Sequence, residues 1–168
     1  MIIYVNGDVT RPIGGKRKII VHLCNDIGAW GAGVSGAIGK RWPKAEKLYR
    51  LWAATKNMPV HENNYPKFEL GSIQIVQINL PEENISVVNL IGQKGIRSQS
   101  NPTPVQYDAI RKGLRTLAQI EGIADEKTIV HMPRIGCGLA GGTWEKIRPI
   151  ITDELSRKDV AVYVYYSL

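Results

Sequence analysis

Apolar residues fall into short blocks with two periods. Ile2 to Val5 is a brief apolar run stopped by Asn6, Gly7 and Asp8, and predicts a strand. Lys18 to Cys24 (KIIVHLC) is β-branched and continuous, the pattern of a strand buried on both faces. Ser72 to Leu80 alternates as a strand does, and Ile85 to Ile91, Thr128 to Met132 and Val160 to Tyr166 complete the set. Helical spacing lies between them. Pro43 suits a first turn, and Ala45, Leu48, Tyr49 and Trp52 follow it. Segment 104–120 carries Tyr107, Ile110, Leu114 and Leu117 on one stripe. Thr143 is placed to cap a helix with Glu145 in its first turn and Trp144, Ile147, Ile151 and Leu155 inward. Strands alternating with helices predict an α/β architecture, with helices on both faces of a sheet. Segment 57–71, polar with Pro59 and Pro66, reads as a surface excursion, and 92–103 as the other long loop.

At 168 residues the chain is read as a single domain over 1–168. An apolar share of 43% and a charged share of 22% exclude a disordered chain and a coiled coil. No apolar run approaches the ~18 residues of a membrane span. The start, Met1-Ile2-Ile3-Tyr4, has neither the basic region nor the cleavage site of a signal peptide. With only 2 cysteines, Cys24 and Cys137, the expectation is a cytoplasmic protein with reduced thiols. The formal charge of +7 favours anionic partners without choosing among them.

Glycine changes the picture. Gly28, Gly31, Gly33, Gly36 and Gly39 fill one window, and Gly136, Gly138, Gly141 and Gly142 a second. Apolar residues surround them, so both read as ordered loops. Each follows a buried strand and leads into a helix. In open α/β sheets ligands bind outside the carboxyl ends of the strands. Glycine lets backbone N–H groups approach a phosphate, and a helix start adds a favourable dipole. Two such turns could clamp a diphosphate. Asn25 to Val34 reverses the dinucleotide fingerprint, and no Gly-Lys-Ser/Thr marks a P-loop. No His, Cys, Asp and Glu cluster has metal-ligand spacing, so no metal or cofactor is expected.

Six pieces, in order along the chain, carry a resemblance: Asn6-Gly7-Asp8-Val9, His22-Leu23-Cys24-Asn25, Trp30-Gly31-Ala32-Gly33-Val34, Arg41-Trp42-Pro43-Lys44-Ala45-Glu46, Met132 to Leu139, and Tyr166-Ser167-Leu168. The sequence resembles a macrodomain, the ADP-ribose-binding α/β/α module. Its branch is similar to the yeast-type ADP-ribose 1''-phosphate phosphatases and the terminal ADP-ribose protein glycohydrolases. The resemblance implies a three-layer fold on a mixed, mostly parallel sheet of about six strands. It also implies a ligand that is ADP-ribose or an ADP-ribosylated substrate.

Roles follow by position. Asp8, with Val9 beside it, would receive the adenine amino group, and Tyr166 would lie near the adenine. Asn25 would hydrogen-bond the distal ribose. Trp30, Gly31, Ala32, Gly33 and Val34 would wrap the distal ribose and diphosphate. Pro133, Ile135, Gly136, Cys137, Gly138 and Leu139 would form the opposing loop. His22 and Asp26 are the catalytic candidates, a histidine for acid–base work and a carboxylate to activate water. The glycohydrolase branch uses a lysine and an aspartate where this chain has Gln93 and Ala140, which argues against a lysine-adduct mechanism. The expected reaction is hydrolysis at the distal ribose, with ADP-ribose 1''-phosphate the leading substrate. The rival readings are a non-catalytic reader of ADP-ribosylated protein or nucleic acid, and an ADP-ribosyl glycohydrolase. A nucleic-acid module ranks last, because basic and aromatic residues do not interleave.

Overall fold

The computed structural model describes residues 1–58 and 65–167. Pro59 and His61, on the expected surface excursion, and the terminal Leu168 lie outside the described residues. Among the described residues, six strands form one sheet: β1 (Ile2–Asn6), β2 (Arg17–Asn25), β3 (Ile73–Leu80), β4 (Glu83–Gln93), β5 (Thr128–Pro133) and β6 (Ala161–Tyr166). Their spatial order is β1-β6-β5-β2-β4-β3. Every neighbouring pair is parallel except β3 and β4, which form an antiparallel hairpin at one edge.

Helices α1 (Val34–Arg41), α2 (Pro43–Ala54), α3 (Tyr107–Leu117) and α4 (Trp144–Glu154) cover both faces. The alternation of β2 shows how. Ile19, Val21 and Leu23 pack with Ile110, Leu114 and Leu117 of α3 and with Ile147 and Ile151 of α4. Ile20 points the other way, to Ile38 of α1 and Ala45 of α2, and Cys24 meets Tyr49 and Trp52. Each such buried aliphatic contributes ~1.5–3 kcal/mol by leaving water. The three-layer architecture and the mixed, mostly parallel sheet implied by the resemblance are the ones observed. No described helix is long and apolar enough to cross a membrane.

Several local readings are corrected. Gly36 and Gly39 belong to α1 rather than to a loop. A Cβ on Gly39 would stand 2.7 Å from Trp30 Nε1, so the indole takes the space a side chain would need. The helix read over 104–120 begins only at Tyr107, because Val105 donates its N–H to Ala140 O (3.0 Å). The return leg of segment 57–71 is not a bare surface excursion. Trp52 Nε1–H donates to Pro66 O at 2.8 Å, and Phe68 is buried against Tyr49 and Trp52. Thr143 holds the N-cap position of α4 without a side-chain cap bond.

One buried histidine ties the loop after β1 to the sheet. His131 Nε2 lies 3.2 Å from Gly14 O, which can only accept, so Nε2 carries the proton. Its Nδ1 therefore accepts from Tyr165 Oη–H at 2.8 Å, and that oxygen also receives the Ile13 N–H. Burial pushes the His131 pKa down to about 4. An unfolded histidine titrates near ~6.5, so below that pH the unfolded chain binds the extra proton and the folded one does not. Stability conferred by a neutral His131 is thus complete above pH ~6.5 and is lost as the pH falls towards 4. The urea midpoint should be flat above neutrality and fall through this window. His131→Gln should make the fall shallower, leaving the share of His22, which burial also pushes down to about 4, and an unchanged pH profile in that variant would remove His131 as a source.

Candidate functional site

Parallel pairing brings β2 and β5 side by side, so Asn25 and Pro133 end at the same edge of the sheet. The two glycine loops emerge there and face each other across a cleft with two lobes. The first lobe, about 280 Å³, is lined by His22, Gly33 and Val34 on one side and by Pro133 through Ala140 on the other. The second, about 310 Å³, is lined by Asn25, Trp30, Gly31, Gln93, Ile96 and Arg97. Leu23, Ala32, Ser35, Gln93 and Leu139 border both, so the lobes are one continuous trough.

The glycines divide by what surrounds them. Gly33 (φ +64°) and Gly138 (φ +73°) adopt the left-handed conformation, and a Cβ on either would meet nothing within 4 Å. Those two present open backbone. Gly136, expected to face the phosphate, instead packs inward: its Cβ would stand 2.9 Å from Ile147 Cδ1. Gly142 donates its N–H to Gly136 O at 2.7 Å and closes the second loop on itself.

Asn25 organises the first loop. Its Oδ1 accepts from the N–H groups of Ile27 (3.2 Å) and Ala29 (3.1 Å) and from Tyr49 Oη (2.9 Å), while Nδ2 donates to Ala29 O (2.6 Å). The side chain expected to hold a ribose is therefore mostly committed to its own loop, with one amide hydrogen left over. Asp26 does not line either lobe. Its Oδ1 accepts the Gly95 N–H at 2.7 Å, and the residue borders a separate surface depression with Lys56 and Lys112. The expected water activator is thus a tether for the loop after β4. Asn101 completes that tether, its Nδ2 donating to Lys94 O (2.9 Å) and Ile96 O (3.0 Å). The loop so fixed carries Arg97 to the second lobe.

His22 lies on the α1 side of β2, fully buried at its ring and lining the first lobe. Its Nε2 bonds Asn89 Oδ1 and its Nδ1 lies 3.0 Å from Ser35 Oγ. Burial pushes its pKa down to about 4, partly opposed by the Asn89 bond, so the ring is neutral near pH 7. Cys24 and Cys137 border the two lobes, and burial raises both thiol pKa values. Neither thiol is primed as a nucleophile.

Asp8 and Val9 stand outside the trough. Gly7 donates its N–H to Tyr166 O at 2.8 Å, which sets Asp8 beyond the end of β6. Asp8 Oδ1 accepts from Thr10 N–H (2.9 Å) and Thr10 Oγ1 (2.8 Å), and these bonds hold the carboxyl below its usual pKa. Val9 is buried beneath. Between this corner and the first lobe, Arg134 lies 5.7 Å over the Tyr166 ring and 5.9 Å over Trp144. Sequence reasoning did not assign Ser35, Ile96 or Arg134 to the trough. The signal available for the buried network behind His22 was Asn89, one amide within the apolar run ISVVNLI.

No family model matches the chain. It is 27% identical over 168 residues to the Chromodomain-helicase-DNA-binding protein 1-like of Mus musculus, spanning 97% of the chain and only 17% of that protein. It is 30% identical over 154 residues to the ADP-ribose 1''-phosphate phosphatase of Candida albicans, covering 86% of the chain and 88% of the relative. The solved macrodomain protein of Streptomyces coelicolor superposes with a TM-score of 0.80 at 39% identity and full coverage of both chains. Shared sequence along most of the length and a closely superposing fold place this chain in the macrodomain family.

Proposed function

We propose that the trough binds ADP-ribose or a derivative of it, and that the whole described chain acts as one macrodomain. The observation that carries this is the pair of open left-handed glycines, Gly33 and Gly138, on opposing loops at adjacent strand ends. Bare backbone N–H groups on two sides of one gap fit a diphosphate. The adenosine then extends from the first lobe over Arg134 and Tyr166 towards Asp8. The Asp8 Oδ2, which makes no bond within the turn, receives the adenine amino group. The distal ribose enters the second lobe against Trp30, Asn25 and Arg97.

The reaction proposed is hydrolysis of a phosphomonoester at that distal ribose, as in ADP-ribose 1''-phosphate. Support comes from the lining of both lobes, which includes no Asp or Glu among the described residues. Glycosidic bond cleavage commonly needs two carboxylates, one for the leaving group and one for water or the carbocation. Here Ala140 stands where the glycohydrolase branch has an aspartate, and Asp26 faces away. A phosphoryl group needs cations and hydrogen-bond donors instead, and Arg97, the α1 N-terminus and the glycine loops supply them. The similarity to the Candida albicans phosphatase supports the same choice. His22, neutral and bordering the trough, is the acid–base group.

Calorimetry with ADP-ribose tests the binding reading, and phosphate release from ADP-ribose 1''-phosphate tests the chemistry. Tight binding with no release by the wild type would leave a non-catalytic reader. Gly138→Val puts a side chain into open space but strains a backbone at φ +73°, so it should abolish ADP-ribose binding, with a thermal melt to check that the fold is kept. Normal affinity in that variant would place the diphosphate elsewhere. Asp8→Ala removes a charge-assisted acceptor and should weaken ADP-ribose by ~1.5–3 kcal/mol, about ten- to a hundredfold in Kd. An unchanged calorimetric Kd would take Asp8 out of the site.

A further inference from the structure

A chain of buried polar side chains runs from α2 through the sheet to the trough, and its proton positions are determined. Gln74 Nε2 donates to Leu48 O at 2.9 Å, so Gln74 Oε1 is left to accept. Asn89 Nδ2 donates both its hydrogens, to that Oε1 (2.9 Å) and to Ala45 O (3.1 Å). Asn89 Oδ1 is therefore the atom facing His22 and can only accept. The His22 proton must sit on Nε2, and Nδ1 presents a lone pair. The atom 3.0 Å from that lone pair is Ser35 Oγ. Ser35 Oγ also lies 3.5 Å from Leu23 O, a contact at the limit of a hydrogen bond, so its hydroxyl proton goes to the nearer His22 Nδ1.

Ser35 borders both lobes of the trough, in the first turn of α1. Gln74 and Asn89 are fully buried, His22 nearly so, while Ser35 keeps partial exposure. The arrangement is a hydroxyl with its base behind it and an orienting amide behind the base. We propose that Ser35 is the nucleophile of the phosphomonoester hydrolysis, with His22 its proton acceptor and Asn89 a positioning residue. This rests on the reading that a distal phosphomonoester is the substrate. Burial keeps His22 unprotonated near neutral pH, the state an acceptor requires.

The steps balance. Ser35 Oγ forms a bond to phosphorus as the bond from phosphorus to the ribose 1''-oxygen breaks. The serine proton passes to His22 Nδ1 and from there to the departing oxygen, which leaves as the hydroxyl of ADP-ribose. Water then attacks the phosphoserine. Its proton moves through His22 Nδ1 to Ser35 Oγ as that oxygen departs. One water is consumed, inorganic phosphate is released, and nothing is oxidised or reduced.

Two successive displacements at phosphorus retain configuration, whereas direct attack by water inverts it. The wild-type protein is given the phosphorothioate analogue of ADP-ribose 1''-phosphate, made chiral at phosphorus with two oxygen isotopes, in water of the third isotope, and the chirality of the released inorganic thiophosphate is analysed. Retention is expected, and inversion would overturn the proposal whatever the variants do. Ser35→Ala should lower kcat by about a thousandfold while ADP-ribose affinity by calorimetry stays within about threefold. Wild-type turnover in Ser35→Ala would also overturn it. Asn89→Leu should lower kcat with KM little changed and shift the acid limb of the pH profile, because His22 then loses the acceptor that fixes its proton. An unchanged kcat and pH profile in Asn89→Leu would remove Asn89 from the relay. ADP-ribose binding without phosphate release by the wild type would defeat the hydrolase reading itself, and this inference with it. Release with inversion would defeat only the assignment of Ser35.

Discussion

β2 and β5 lie side by side and run the same way, and the trough exists because of it. Had either strand been reversed, its glycine loop would emerge at the opposite edge of the sheet. A parallel pair needs a crossover, and crossovers here deliver α1 and α2 to one face and α3 and α4 to the other. The same helices leave the carboxyl edge of the sheet uncovered, so backbone groups at the strand ends remain available to a ligand. Interior glycines serve this arrangement as much as exposed ones do. A Cβ on Gly113 would stand 2.6 Å from Leu90 Cγ, so α3 can close on β4 only without one.

The two faces of the sheet are built from different chemistry. Against α3 and α4 the interior is almost wholly aliphatic, with Val21, Leu90, Val130 and Met132 fully buried. Against α1 and α2 it carries Gln74, Asn89 and His22, also buried. Burying amides costs ~1–3 kcal/mol for each group left unpaired, so such a network persists only when every member finds a partner. Here each does, and the last partner is a hydroxyl at the ligand cleft. An aliphatic replacement for Asn89 could fill the same volume, but it could not decide which nitrogen of His22 carries the proton.

Sheet elements were legible because burial on both faces writes long apolar runs, as in KIIVHLC, and the β3–β4 hairpin shows in the alternation of SIQIVQINL. The two glycine turns were legible as a pair, since each follows a buried strand. What each glycine does was not legible, because Gly136 and Gly138 are two residues apart and differ only in what surrounds them in space. Asp26 misled for the same reason: adjacency to Asn25 in sequence says nothing of which way the carboxylate turns, and its partner Gly95 is far along the chain. Ser35 went unread because a serine at a helix start is ordinary; only the sheet, by carrying His22 to it, makes the position distinctive. The loop after β4 was visible as a loop, yet its order comes from one side chain, Asn101, bonding back to Lys94 and Ile96.

The electrostatic character of the trough bears on which bond can be broken there. Among the described residues the lining has Arg97 and Arg134 and no carboxylate, which leaves the ligand to bring the negative charge. In such a site a developing oxocarbenium ion would find no counter-ion, whereas a phosphoryl group shedding charge onto its oxygens would find donors on several sides. A carboxylate beside the phosphate would also repel the dianion, with an energy that grows as water is excluded. On the proposed reading, glycine loops that grip a diphosphate and a cleft that takes one more phosphoryl group are the same electrostatic solution applied twice along one ligand. The neutral histidine fits that solution better than a charged one would. A positive His22 would hold the phosphate more tightly in the ground state as well as in the transition state, and binding both equally does nothing for the chemical step. In the proposed mechanism a neutral His22 takes a proton only when the nucleophile begins to lose one, which confines its contribution to the moment of reaction.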